Sequence, residues 1–435
     1  MPHHFKGGIH PPYHKEKTNH VKIIHLQAGE TVVIPMLQHI GTICEPLVKV
    51  GDRVNVGQLI GNSEAFLSAP VHASVSGTVQ SIEKYPHPNN TEVLSVVIKN
   101  DFKHTMDETL RGLDPDVSGE QIIEKIKQCG IVGMGGAGFP LHIKLNVPTG
   151  KLVDTVIINA AECEPYLSSD HRTMMEYPEE ILFGMQTILS VCDAKKAVIA
   201  IENNKPDAID LFRKKTKDLQ AIDVVSLPVK YPQGSEKHII KSVTGRTVKR
   251  GKLPVSVGVI VNNVDTCLSV FNAVIYGMPS ITRRITLSGN CVRNPGVYQV
   301  PVGMLLRDVI EQSDGLIGAP AKIISGGPMM GIAQFNTDTP IIKTSTGILM
   351  MDRKEAEFHQ EYPCLRCGKC IQVCPMGLMP LRIAQCEDKN DTESAKNLFA
   401  TDCIECGCCS YACPSKRYLA ERIRLTKSKA IALTN

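Results

Sequence analysis

Between residues 119 and 280 the apolar positions alternate between two periods. Glu120–Gln128 carries its apolar residues at helical spacing, and Thr155–Asn159 is a short apolar run of strand length. The helix Glu179–Val191, the strand Ala197–Ile201, the helix Asp207–Lys217 and the strand Asp223–Leu227 follow. Helices alternating with buried-type strands predict crossover units on a parallel sheet, so 119–280 reads as a doubly wound α/β domain. The chain in front of it has a different rhythm. Residues 21–100 hold short β segments (Val32–Ile34, Val48–Val50, Val75–Ile82, Val93–Ile98) punctuated by Gly and Pro. They follow a Gly- and Pro-rich arm, so 1–100 reads as arm plus β domain, and the polar stretch 101–118, with Pro115, reads as a linker. Residues 281–352 return to short β segments around one helix, Gly303–Gln312. The remainder, 353–435, is dominated by cysteine and closes in a basic helix.

Composition changes this picture at one point. Hydrophobic residues make up 43% and charged residues 21%, which excludes a disordered or collagen-like chain. The net charge of +4 is dispersed and gives no reason to expect a nucleic-acid partner. No secretory signal is expected at the start. No apolar run reaches the ~18–20 residues a spanning helix needs: Ile181–Cys192 is too short, and Leu253–Thr282 is broken by Asn262, Asn263, Asp265 and Pro279. Sixteen cysteines are unusual, and ten of them fall between Cys364 and Cys413. Without a secretory route they read as metal ligands, not disulfides. Seven of the fourteen histidines precede residue 40, but without regular spacing they read as part of an extended arm packed on the next domain.

Cys364-Leu-Arg-Cys-Gly-Lys-Cys-Ile-Gln-Val-Cys-Pro375 has the spacing C-x2-C-x2-C-x3-C-P, and Cys403 to Pro414 repeats it. Three thiolates on such a tight loop reach three corners of one cubane, and the fourth points to the other cluster. The first cluster therefore takes Cys364, Cys367, Cys370 and Cys413, and the second takes Cys403, Cys406, Cys409 and Cys374. Cys386 and Cys408 fall outside the ligand positions. Structural zinc would need neither the third cysteine nor the trailing proline, and would not need the run twice. Lys416, Arg417, Arg422, Arg424, Lys427 and Lys429 either balance cluster charge or dock a membrane subunit or an acidic ferredoxin.

Clusters pass single electrons, so a second redox group is expected. Gly130-Ile-Val-Gly-Met-Gly-Gly-Ala-Gly-Phe-Pro-Leu-His-Ile-Lys144 would let backbone N–H groups approach a phosphate, with Lys144 adding charge. It is neither a Walker loop nor a G-x-G-x-x-G turn after a strand. With Asn159-Ala-Ala-Glu-Cys-Glu-Pro165, Tyr231-Pro-Gln-Gly-Ser-Glu236 and Val261-Asn-Asn-Val-Asp-Thr266, it resembles the FMN- and NADH-binding subunit of respiratory complex I. Val50–Leu59 and Ala69–Val79 resemble the barrel-sandwich hybrid of biotinyl and lipoyl carrier domains, but the hairpin Ser63–Ser68 offers no lysine to modify. Gly289–Gly296 and Ser325–Gly331 are similar to soluble ligand-binding β-grasp units of the SLBB type. Together these pieces, over essentially residues 5–420, resemble the RnfC family of the Rnf complex, the ion-translocating ferredoxin:NAD+ oxidoreductase.

The resemblance implies a multidomain α/β and β protein: a barrel-sandwich hybrid, a doubly wound flavin/nucleotide domain, a β-grasp unit and a helical ferredoxin-type domain with two [4Fe–4S] clusters. It implies that Gly133, Gly135, Gly136, Lys144, Asn159, Glu162, Gly234, Asn262, Asn263 and Thr266 hold FMN. Phe139, Glu164 and Glu236 would face NADH. It also implies a peripheral place on the cytoplasmic face of the membrane. The partners would be Rnf membrane subunits and an iron–sulfur subunit or ferredoxin, and Na+ or H+ would be moved elsewhere in the complex. Three positions depart from the complex I pattern: Met134 replaces an arginine, Cys163 a serine and Ser235 an acid. A cobalamin reductase that hands electrons to a corrinoid shares this layout. A flavin-free iron–sulfur relay is the reading from another class.

Overall fold

Thr155–Ala160, Lys196–Glu202 and Ile222–Leu227 lie side by side in chain order, and Val259–Asn263 takes the far side of Thr155–Ala160. All four strands are parallel. The change of direction opens a crevice at the carboxyl ends of Thr155–Ala160 and Val259–Asn263, the place where open α/β sheets bind ligands. The computed structural model describes residues 3–148, 150–356 and 359–433.

Helix Gly119–Gln128 starts at a capping box, in which the Ser118 hydroxyl accepts from Gln121 N and the Gln121 side chain accepts from Ser118 N. Helices Pro178–Val191 and Val264–Tyr276 pack on one face of the sheet, burying Ile181, Met185, Ile188, Cys267 and Val270 against Val156, Ile158 and Ile199. Ile239 and Ile240 of helix Glu236–Thr244 cover the other face. Periodicity did not mark three helices. Ser169–Glu176 buries Ser169, His171 and Thr173, so its inner face is polar. Val264–Tyr276 is buried round most of its surface and has no amphipathic stripe to read. The third is the short Glu236–Thr244.

The N-terminal β domain has two sheets. One contains Thr31–Pro35, Glu92–Asn100, Gly77–Pro86 and Arg53–Val54, and the other contains Glu45–Pro46, Leu59–Asn62 and Val71–His72. Val32, Ile34, Ile60, Val79, Val96 and Ile98 form its core. Val48–Val50, expected as a strand, is instead the approach to a turn: Lys49 N donates to Asp52 Oδ2 at 2.7 Å, and Gly51 follows at φ +93°. In the β-grasp unit, Thr282–Ser288 pairs with Gly296–Pro301 and Gly347–Met351 within a six-stranded sheet. Its helix is Leu306–Gln312, shorter than expected, because Gly303 at φ +92° gives its N–H to Ile341 O.

The arm does not pack mainly on the next domain, as expected from sequence. His3 N donates to Ser242 O, and Ile9 bridges Tyr231 in the α/β domain. Gly8 N donates to Val373 O in the cysteine domain, and Ile24–His25 joins the β-grasp sheet beside Tyr298–Gln299. A Gly- and Pro-rich segment has no core of its own, so its backbone groups are satisfied by whichever surfaces it crosses.

Gly184 sets the closest helix approach in the α/β domain. A Cβ there would lie 1.9 Å from Cys267 O of the facing helix. Gly184→Ala therefore gains about 1 kcal/mol of helix propensity but loses more to backbone separation, where overpacking costs ~1–3 kcal/mol or more. A lowered urea midpoint in far-UV circular dichroism is the expected outcome, and an unchanged or raised midpoint would contradict this packing.

Candidate electron-transfer site

The glycine loop leaves its strand-like start at Val132, which bridges Pro140, and closes on itself through Gly133 N to Phe139 O at 2.9 Å. Its tip, Gly135-Gly136-Ala137, is exposed, while Met134 beneath it is buried. Met134 N donates to Thr266 Oγ1 at 3.1 Å. A Cβ on Gly135 would come 3.0 Å from Asn263 Nδ2, so the loop rests on that side chain. A Cβ on Gly136 would meet nothing within 4 Å, so its backbone opens onto free space.

The opposite wall comes from the strand ends. Asn159 Nδ2 donates to Gly234 O at 2.7 Å, and Gly234 N donates to Cys163 Sγ at 3.3 Å. Lys144 Nζ reaches Val261 O at 2.8 Å and Glu236 Oε1 at 3.1 Å, with Glu236 about half exposed. Asn262 is the informative residue: its side chain is buried, and neither Oδ1 nor Nδ2 has a hydrogen-bond partner. A buried amide left open costs roughly 1–3 kcal/mol, so a polar ligand in the crevice is the physical complement. The glycine backbone, Lys144, Asn159 and Asn262 fit a flavin nucleotide.

Two of the implied residues point elsewhere. Glu162, at φ +46°, accepts from Asp170 N at 2.7 Å and pairs with the buried Lys15 of the arm at 3.6 Å. Glu164 accepts from Met329 N and Met330 N at 3.1 and 2.9 Å, which ties the β-grasp loop to the α/β domain. Burial pushes the Glu164 carboxyl up to about 7. Sequence reading missed Lys15, Asp170, Arg283 and Lys205. Arg283 donates to Met134 O at 3.4 Å and pairs with Asp265, which also takes Arg284 at 2.6 Å. The replaced arginine at 134 thus has a guanidinium beside it, supplied from another domain.

The two cysteine runs have matching backbones. Arg366 and Glu405 both adopt positive φ, and each donates its N–H to the cysteine two residues before it, Cys364 or Cys403, at 3.3 Å. Gly368 and Gly407, both left-handed, then start the short helices Lys369–Gln372 and Cys408–Tyr411. The runs are crossed. Cys374 lines one cavity with Cys403, Cys406 and Cys409, while Cys370 lies within the field of Cys413. Burial pushes the Cys403 thiol up to about 11 and raises Cys409 as well. Four thiols in a dry pocket match the donor set of an iron–sulfur cubane, which holds them as thiolates. Cys364 and Cys367 are exposed. Of the terminal basic residues, Arg422 pairs with Glu361 and Asp388, Arg417 with Asp388, Arg424 and Lys427 with Glu405, and Lys429 with Glu387. Their charge is therefore largely balanced by acids of the same domain.

Crevice and cysteine domain meet. Tyr231, Cys406, Cys408 and Ile9 form one apolar cluster against which Cys163, Met329 and Val373 pack. A flavin-type crevice abutting a twin-cubane domain defines the class: an iron–sulfur flavoprotein of the electron-transfer kind.

Comparisons with known proteins agree domain by domain. The RnfC barrel sandwich hybrid domain matches residues 3–103 and the Nuo51 FMN-binding domain 126–272. The SLBB domain matches 284–333 and the 4Fe-4S dicluster domain 357–414. The chain is 43% identical to the RnfC-type subunit of the Na+-translocating ferredoxin:NAD+ oxidoreductase complex of Acetobacterium woodii, over 98% of this chain and 97% of that one. It is 42% identical to the same subunit of the proton-translocating complex of Clostridium ljungdahlii, over 98% and 93%. For its counterpart in the ion-translocating oxidoreductase complex of Rhodobacter capsulatus the identity is 37%, over 90% and 76%. The chain belongs to this family, the RnfC subunits of the Rnf-type oxidoreductase complexes. An NAD+-reducing [NiFe]-hydrogenase in its air-oxidized state shares the fold at TM-score 0.51 and 20% identity, over 65% of this chain and 54% of that one.

Asp265 is buried between two guanidiniums, and removing one partner of such a group leaves charge uncompensated, a loss of about 3–5 kcal/mol. Asp265→Asn is expected to lower the urea midpoint by that measure, whereas Asp338→Asn, at the exposed pair with Arg307, is expected to cost under about 1 kcal/mol. Equal midpoints for the two variants would contradict the assignment.

Proposed function

We propose that the chain is the peripheral, nicotinamide-side subunit of an Rnf-type ferredoxin:NAD+ oxidoreductase on the cytoplasmic face of the membrane. It exchanges electrons between NAD(H) and an iron–sulfur partner subunit or ferredoxin, through FMN and two [4Fe–4S] clusters, in a complex that moves Na+ or H+. The observation that carries this reading is the dry contact of Cys163 and Tyr231 with Cys406 and Cys408, which joins the crevice to the second cluster site. Near full-length identity to relatives bearing that name supports it.

FMN, when bound, supplies the exchange between two-electron hydride transfer and one-electron cluster chemistry. The chain's own residues bind and orient. Amides of Gly133, Gly135 and Gly136 and the Lys144 ammonium hold phosphate. Asn159, Gly234, Asn262, Asn263, Thr266 and Glu162 frame the remainder of FMN. Phe139, Glu164 and Glu236 face the nicotinamide nucleotide, with Glu236 the more open of the two acids. Cys374, Cys403, Cys406 and Cys409 hold the cluster next to the crevice. Cys364, Cys367, Cys370 and Cys413 hold the outer one, whose exposed Cys364 and Cys367 give a partner access. Apolar side chains between crevice and inner cluster keep water out of the path.

Anaerobic NADH titration of the purified chain is expected to bleach a flavin and then bring up reduced [4Fe–4S] signals in low-temperature EPR. Clusters silent to NADH, with no flavin released on denaturation, would overturn the reading in favour of a relay. Glu236→Gln and Glu164→Gln each remove one charged hydrogen-bonding group, ~1.5–3 kcal/mol, and should slow NADH-driven reduction roughly 10- to 100-fold at unchanged iron content. Normal NADH kinetics in both would remove them from the nucleotide site. Cys374→Ser should lose one of the two clusters, while Cys408→Ser should keep both. Iron analysis separates these outcomes.

A further inference from the structure

Asp170 has no role in the family resemblance, yet it lies one side chain behind the glycine loop. It sits in the first turn of helix Ser169–Glu176, partly buried, and its Oδ2 accepts from Asn263 Nδ2 at 2.6 Å. That same Nδ2 is the atom nearest to the position a Cβ on Gly135 would take, at 3.0 Å. A line of contact therefore runs from the loop tip through a neutral amide to a carboxyl. The Asn263 Oδ1 is engaged with Asp265 N at 2.8 Å, which fixes which end of the amide faces Asp170.

The charges around Asp170 are distributed unevenly. Glu162, whose Oε1 accepts the Asp170 N–H, is paired with Lys15. Asp265 holds both Arg283 and Arg284. On its own helix, His171 faces Asp207 and Arg172 faces Glu176. The neighbouring carboxylates thus have cations in ion-pair contact, while Asp170 is bonded to an uncharged amide and feels Arg283 only at longer range. Burial, and after it the like charges of Glu162 and Asp265, push the Asp170 carboxyl up to about 7. It stands between its two protonation states at neutral pH.

We propose that Asp170 is a proton-holding residue coupled to the flavin through Asn263, taking up one proton from solvent when the flavin is reduced. This rests on the flavin reading of the crevice. The step balances. The nicotinamide ring loses a hydride, which is two electrons and one hydrogen nucleus, and the flavin gains it together with one negative charge. The Asp170 carboxylate forms an O–H bond with a proton drawn from water, and no other bond breaks. Added negative charge beside a carboxyl favours its protonated form, and linkage makes the effect reciprocal, so a protonated Asp170 makes flavin reduction easier. Asp170 acts through Asn263 and touches no reacting atom, so it is a positioning residue for charge.

The test is a pH series of flavin reduction on the full-length, cluster-loaded protein, after flavin release on denaturation has been measured. From about pH 7 upward, wild type should bind one proton more per two electrons than Asp170→Asn does. Below that range the two should converge, because the carboxyl is protonated in both redox states. A purely structural role would leave the proton count unchanged, and equal counts at all pH values overturn the proposal. Should Asp170→Asn lose its flavin, redox-difference infrared spectroscopy on wild type decides. A protonated-carboxyl C=O band growing on reduction above pH 7 supports it, and its absence overturns it. Wild type without any flavin sinks the flavin reading itself, a distinct outcome.

Discussion

One carboxylate between two guanidiniums governs how the domains of this molecule meet. Asp265 stands at the start of the helix that follows the last strand of the α/β sheet, and Arg283 and Arg284 reach it from the first β-grasp strand. All three are buried. Desolvated charge of this kind is costly unless every partner is in place, so the arrangement tolerates little relative movement of the two domains. Arg283 also reaches the Met134 carbonyl, and so fixes the loop on which the flavin reading depends. Lys343 acts in the same way on the other side, giving its ammonium to Pro70 O and Gly130 O at 2.7 Å and thereby joining the barrel-sandwich domain to the start of that loop. Burial holds the Lys343 ammonium down to about 8.

Rigid seams matter because of what lies between crevice and inner cluster. Tyr231, Cys163, Met329 and Cys408 come from three domains, and no one of them encloses the path alone. The Gly326–Gly331 loop is pinned at one end by Glu164, while Met329 O lies 2.9 Å from where a Cβ on Gly407 would stand. Only glycine at 407 lets that loop approach the second cysteine run so closely. Electron transfer weakens steeply with gaps in packing, so a chain that divides the path among domains must hold those domains fixed.

The sequence made some of this legible and hid the rest for identifiable reasons. Cysteine spacing survives translation into structure because all ligands of a tight loop are near neighbours in the chain, and the crossing of Cys374 into the other set follows from the same geometry. The α/β alternation was readable because its strands are buried on both faces and its helices have amphipathic stripes. Val264–Tyr276 lacked such a stripe, and Ser169–Glu176 turns polar residues inward, so neither announced itself. Lys15, Asp170 and Arg283 were invisible for another reason. Their importance comes from partners more than a hundred residues away or in a separate domain, such as Lys15 with Glu162 and Arg283 with Met134. The arm was misjudged for the same reason, since nothing local in Lys6–Lys15 names the surfaces it crosses.

That arm carries a consequence for how the molecule comes into being. Gly7 lies so close to the Cys374–Pro375 backbone that a Cβ would sit 2.6 Å from Cys374 O, and Ile24 pairs with Tyr298. These partners are made hundreds of residues later than the arm itself. During synthesis the first segment to emerge must therefore wait unsettled until nearly the last domain has been completed. Its final docking site, the Cys374 turn, takes its shape only once the cysteines around it have been drawn together. Closure of the arm across the α/β, β-grasp and cysteine domains is thus a late event, gated by cluster insertion. The finished subunit is sealed by the part of it that was born first.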